Sequence, residues 1–147
     1  AGLNFGTILI PEGLIEFIEQ SVFTLVNQIV EREESAAVQV QKVLAVLLQF
    51  GEKNPGMTRV MVGDALVFEN ERLLVRMNQF FDRIESTLRQ CLRPAAGALG
   101  SATPTVDAQV AASGLMSFLQ GRLQRFVRTG FRRQPTEHLD ASLAMMI

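Results

Sequence analysis

The side chains able to do chemistry are few, and their spacing points away from catalysis. The chain holds one histidine and one cysteine, His138 and Cys91, far apart in sequence. A metal centre needs three or four converging ligands, and neither residue has a second of its kind to share one with. Cys91 falls on an apolar helical stripe, the setting of an inert buried thiol and not of an activated nucleophile. The adjacent acids Glu33 and Glu34 stand at a helix end, where they are expected to be solvated. The GEKNPG stretch from Gly51 lacks the lysine-serine context that completes a phosphate-cradling loop. No active-site constellation is assembled, so no enzyme, cofactor or metal is expected.

What remains is recognition chemistry: an aromatic ring at Phe17, a cation at Lys53, a run of arginines and a ridge of small residues. Their meaning depends on the elements that carry them. Strand alternation is absent, and apolar residues recur at spacings of three and four, which predicts an all-α fold. The first helix is expected to start near Pro11 or Glu12, with Leu14, Ile15, Ile18, Val22, Leu25, Val26, Ile29 and Val30 on its buried face. Phe17 lies about 130° from the centre of that stripe, and Phe23 flanks it on the other side. An aromatic ring outside the stripe either packs on another element or is offered to a partner.

Ser35 is expected to cap a second helix. That helix is apolar on two sides, Val40, Val43, Leu44, Leu47 and Leu48 on one and Val46 with Phe50 on another, as in the middle of a bundle. It ends around Gly51 to Lys53, where a lysine suits the helix dipole. Asn54 and Pro55 read as N-cap and first residue of a short third helix. After Gly63 a long helix is expected over 64–92, buried along Leu73, Met77, Phe80, Phe81, Ile84, Leu88 and Cys91, with a charged face of mixed sign opposite. Residues 94–104, PAAGALGSATP, read as a mobile loop. The last long helix, about 105–131, has an apolar face at Leu115, Leu119, Leu123, Phe126, Val127 and Phe131. Its arginines Arg122, Arg125, Arg128 and Arg132 read as a solvated face or as cross-subunit ion pairs. Gly114, Ser117 and Gly121 form a ridge without bulk. Such a ridge lets helices approach closely, either across a two-fold axis or within one subunit. Thr136 is expected to cap a terminal helix over 137–146, closed by Leu139, Leu143, Met146 and Ile147.

Composition sets bounds on partners. The chain has 147 residues, a single-domain length, and 48% of them are hydrophobic, with a mean hydropathy of +0.20. That surplus suggests apolar surface shared with another subunit. The longest aliphatic run, Val43 to Leu48, is far short of the ~20 residues that span a bilayer, so no membrane segment is expected. Neither is a signal peptide. One cysteine suits a reducing cytoplasm. The net charge of −1 gives the chain no general electrostatic attraction to nucleic acid.

Three segments in order, LIEFIE from Leu14, QFGEKNPGMTR from Gln49 and RLQRFVRTGFRRQPTEHLD from Arg122, together resemble the C-terminal half of TetR-family regulators, nearest the family's nucleoid-occlusion branch. The resemblance runs from about Gly13 to the C-terminus. It implies a helical bundle, residues 12–147, that forms a homodimer through its last two helices. The ridge Gly114, Ser117 and Gly121 with Leu139 and Leu143 would then line the interface. In that branch the domain binds the C-terminal tail of the cell-division protein FtsZ in a groove between its first two helices. The matching positions here are Phe17, Val46, Gln49, Lys53 and Asn54. Lys53 would meet an acidic, hydrophobic peptide around an apolar anchor. The pattern departs at Leu25, where the family can carry arginine, and at Gln49, where it can carry glycine. Residues 1–11 stand where a helix-turn-helix head would close and do not match one. DNA binding is therefore expected only in a longer parent protein, cytoplasmic and nucleoid-associated. The competing expectation is a ligand-sensing domain of a TetR-type repressor, with Met57, Met61, Met77, Phe80 and Phe81 around a small molecule.

Overall fold

A computed structural model describes residues 12–63 and 71–146. Expectations for residues 1–11, for 64–70 and for Ile147 lie outside the described residues. These include the atypical head segment, the Pro11 start and the beginning of the long helix. Among the described residues the chain forms six helices and no strand: α1 Glu12–Arg32, α2 Ala36–Lys53, α3 Pro55–Met61, α4 Glu71–Ala98, α5 Pro104–Arg128 and α6 Leu139–Met146. None of these helices is long and apolar enough to cross a membrane.

The helices pack through their stripes into one core. On α4, all seven residues expected to be buried are so. Phe80, 1% exposed, meets Phe23 and Phe81 edge-on, with ring centroids 5.4 and 5.2 Å apart. That geometry opposes the positive rim of one ring to the negative face of the next. Phe23 is therefore core, whereas Leu25 and Val30, expected to be buried, are 44% and 37% exposed. The stripe of α1 is turned toward α4. Arg83 covers Phe23, its guanidinium 3.8 Å from the ring centroid, and Arg76 bonds Glu19 at 2.6 Å. The charged face of α4 thus docks α1 along one edge and is only partly solvated.

α2 crosses the middle of the bundle. Ser35 caps it by accepting from the Val38 amide at 3.5 Å, a long bond. Gly51 lies inside α2 and is there for packing, not to stop the helix. A Cβ on it would stand 2.5 Å from Leu123 Cδ2 and 3.2 Å from Thr58 Oγ1. Thr58, fully buried, shares its hydroxyl between the Gly51 and Asn54 carbonyls at 2.7 and 2.9 Å. Gly51→Val overpacks this crossing, and urea unfolding is expected to show a loss of about 1–3 kcal/mol.

The expected loop over 94–104 is mostly regular. α4 continues through Pro94 to Ala98, and Gly100, at φ 84°, closes it. The Ser101 amide reaches the Ala96 carbonyl at 3.1 Å and the Gly100 amide the Gly97 carbonyl at 3.0 Å, a glycine-terminated helix end. Asp107 ties the turn by bonding the Ser101 and Thr103 hydroxyls. Ala95, Ala96 and Ala98 favour the helix, although Pro94 forfeits one of its backbone bonds.

α5 ends by the same device at Gly130, φ 63°, and Phe131 folds back edge-on to Phe126, centroids 5.1 Å apart. The segment after it is held by arginines. Arg122 donates to the Pro135 carbonyl at 3.3 Å, to the Glu137 carbonyl and to Ser142 Oγ at 3.1 Å, and its guanidinium lies 4.7 Å from the Phe118 ring centroid. Arg133 grips Glu137 with two bonds, 2.9 and 3.3 Å, and Arg125 stands 3.7 Å from the same carboxylate. The hydrogen bond from Arg133 holds the Glu137 carboxyl below its ordinary range, and burial lowers Arg122. Arg122 and Arg125 are clamps and not a solvated stripe; Arg128 and Arg132 remain exposed. α6 begins at Leu139, two residues later than expected, because His138 adopts a left-handed φ of 53°. Thr136 bonds Glu52 on α2 instead of capping.

Candidate functional site

Two faces of this bundle are apolar and open. The first is the seam between α1 and α2. The helices run antiparallel about the turn at 33–35, so Phe17 is level with Phe50 and Gly51. The opposite flank of α1 carries Glu19 and Phe23 and is taken by α4. On the 100° helical step, Phe17 and Leu25 therefore border the α2 side. Phe17 is 50% and Leu25 44% exposed. Across the seam, half-buried Val46 and Phe50 and exposed Lys53 fall within about 60° of one another. An apolar strip about two turns long thus ends at a cation. Leu25 belongs to that strip and not to the core. Its periodicity alone could not reveal this, since it sits at the edge of the stripe.

The five residues expected to form the groove are divided by the fold. Phe17, Val46 and Lys53 border the seam. Asn54 closes its end, donating Nδ2 to the Phe50 carbonyl at 2.8 Å, and makes no side-chain cap to α3. Gln49 lies about 60° round α2 from Val46, away from Phe50. It lines a cleft of about 370 Å³ with Thr136, His138, Leu139, Asp140 and Ala141. His138 and Asp140 received no recognition role from their spacing, because only the folded 129–138 segment brings them to α2.

The second face is on α5. Val106, Val110, Gly114, Ser117 and Gly121 fall within about 80°, and all are exposed. A Cβ at Gly114 or Gly121 would meet nothing within 4 Å, so these glycines do not make room for a helix of their own subunit. Val106 and Val110, missed in the sequence reading, continue the ridge at the same spacing. Leu139 and Leu143, expected at the dimer interface, are 8% and 2% exposed and belong to the subunit's own core. α6 is short and lies against the bundle, so its one apolar edge is used there. Its exposed residues include Met145 and Met146. Beside the ridge opens a groove of about 880 Å³, lined among others by Ala36, Leu92, Leu99, Val110 and Met146.

The residues named for a small-molecule pocket are chiefly core. Met61, Met77, Phe80 and Phe81 are buried, and three of them border a space of about 210 Å³, below the roughly 300–1,000 Å³ of ligand pockets. Cys91 is buried and its thiol is pushed up by desolvation. Among the described residues no group of three His, Cys, Asp or Glu could hold a metal.

Residues 15–147 match the family model of the tetracyclin repressor-like, C-terminal domain, SlmA-like type. The chain belongs to this SlmA-like family. Its relatives include the nucleoid occlusion factor SlmA of Vibrio atlanticus, 46% identical over 135 residues, which are 92% of this chain and 68% of the relative. The protein of that name from Aliivibrio fischeri strain MJ11 is 46% identical with the same coverage. That from Vibrio cholerae is 44% identical, again over 92% of this chain and 68% of the relative. The names of these SlmA-like relatives designate occlusion factors and no enzymatic reaction.

Proposed function

We propose that this SlmA-like domain is the dimerising, partner-binding half of a TetR-type DNA-binding regulator that inhibits cell division. It does so by binding the C-terminal tail of FtsZ in the α1–α2 seam. The observation that carries this reading is Phe17, a ring half in water on the α2 side of α1, as Leu25 is two turns on, with half-buried Val46 and Phe50 and exposed Lys53 on α2. A short peptide needs an apolar anchor site and a charge to orient it, and the seam supplies both. Dimerisation is assigned to the open ridge on α5. DNA binding belongs to the parent regulator's own reading head, and its place of action is the cytoplasmic nucleoid.

Calorimetric titration with the FtsZ C-terminal peptide tests this. Saturable binding is expected, weakened about tenfold or more by Phe17→Ala, the order of one anchor residue. Lys53→Glu is expected to weaken it less and to flatten its salt dependence. Circular dichroism checks that both variants keep the fold. Absence of any binding heat, with no competition in a fluorescence assay, would remove the tail as the partner.

A further inference from the structure

The cleft beside Gln49 is a built feature that the seam alone does not explain. Its outer wall is the segment 135–141, and that wall is rigidly held. Arg122 fixes two of its carbonyls, Arg133 grips Glu137, and Thr136 is bonded to Glu52 of α2. The wall also holds His138 in a left-handed conformation. A residue other than glycine seldom adopts that region, and such outliers cluster where function over-determines the backbone. His138 is turned outward, 80% exposed at its side chain, and Asp140 and Gln49 both line the open cleft of about 370 Å³.

The chemistry of this space is the complement of the Lys53 end. Asp140 is exposed and is bridged to no cation among the described residues, whereas Glu137 is saturated by Arg133 and Arg125. Asp140 stands in the first turn of α6, where a negative charge suits the helix dipole. Gln49 offers both an amide donor and an acceptor. A carboxylate entering here would be repelled by Asp140; an ammonium or guanidinium would be accepted by Asp140 and Gln49 together. Gln49 is one turn before Lys53 on α2, so a ligand lying on the seam passes the mouth of the cleft.

We propose that the Gln49–Asp140 cleft is a second subsite, which takes a basic side chain of the peptide bound along the α1–α2 seam and so selects among peptides by charge order. This rests on the seam reading. The subsite demands a positive residue near the apolar anchor, while Lys53 favours a negative one at the other end.

A lysine scan of the seam-binding FtsZ tail peptide, one position at a time, tests it against wild type, Asp140→Arg and Phe17→Ala. In wild type, lysine at one position is expected to tighten binding about two- to fivefold, the range of a solvent-exposed ion pair. In Asp140→Arg the same lysine is expected to weaken binding, and glutamate there to restore it. Gln49→Ala should halve the gain without reversing it. A flat scan, or an identical profile in wild type and Asp140→Arg, overturns the subsite even where Phe17→Ala still weakens binding. If Phe17→Ala binds as wild type does, the seam reading itself fails. Matching thermal unfolding of Asp140→Arg and wild type shows that the wall is intact.

Discussion

Phe80→Ala lowers the stability of the domain by about 3–5 kcal/mol, the range for deleting a buried aromatic. Phe80 is 1% exposed and stands where α1 and α4 meet, touching Phe23 and Phe81 edge-on. Its loss removes the transfer energy of the ring and both aromatic contacts. It also leaves a cavity that the crossing can only partly close, since Arg76–Glu19 and Arg83 over Phe23 pin α1 to α4 on the same edge. For a domain of this length the change corresponds to a melting shift on the order of 10 °C. Thermal unfolding at fixed protein concentration measures it, the concentration being held because subunit association adds to apparent stability. A shift of only a degree or two would mean that Phe80 is not the centre of the core.

Gly114→Arg is expected to abolish the proposed dimer while sparing the subunit. The Cβ added at Gly114 meets nothing within 4 Å, so the folded monomer accommodates the side chain in solvent. At the centre of a self-complementary contact, two-fold symmetry would place two arginines against one another across the ridge. The dissociation constant is expected to rise about 100-fold or more, as for disruption of a central interface residue. Sedimentation velocity reads this directly, with circular dichroism unchanged. A variant that still sediments as a dimer would move the interface off α5. A surface ridge of Val106, Val110, Gly114, Ser117 and Gly121 would then be left without a role.

The core of each helix was legible because burial there follows a local period. All seven apolar residues of the α4 stripe are buried, and so are Leu115, Leu119, Leu123 and Phe126 of α5. The exchange between Phe23 and Leu25 shows where that stops. Both sit at stripe edges, and which edge is covered depends on where α4 packs. Gly51 shows a second limit. A glycine near a helix end reads as a terminator, but its reason here is Leu123, far along the chain, which leaves no room for a Cβ. Pro94 to Ala98 shows a third, since small residues next to proline read as a linker until helix-forming alanines continue α4.

The candidate site divides in the same way. Phe17 as an unplaced ring, Lys53 at a helix end and the small-residue ridge on α5 follow from helical geometry alone, which needs only the order of residues. Whether Phe17 is covered, whether the ridge is open, and that Leu139 and Leu143 are used internally are matters of tertiary packing. So is the meeting of Gln49 with His138 and Asp140, which the arginine clamps on 135–141 bring to α2. Periodicity is a property of one helix; exposure and encounter are properties of several, and they arise only when long-range contacts set the helices side by side.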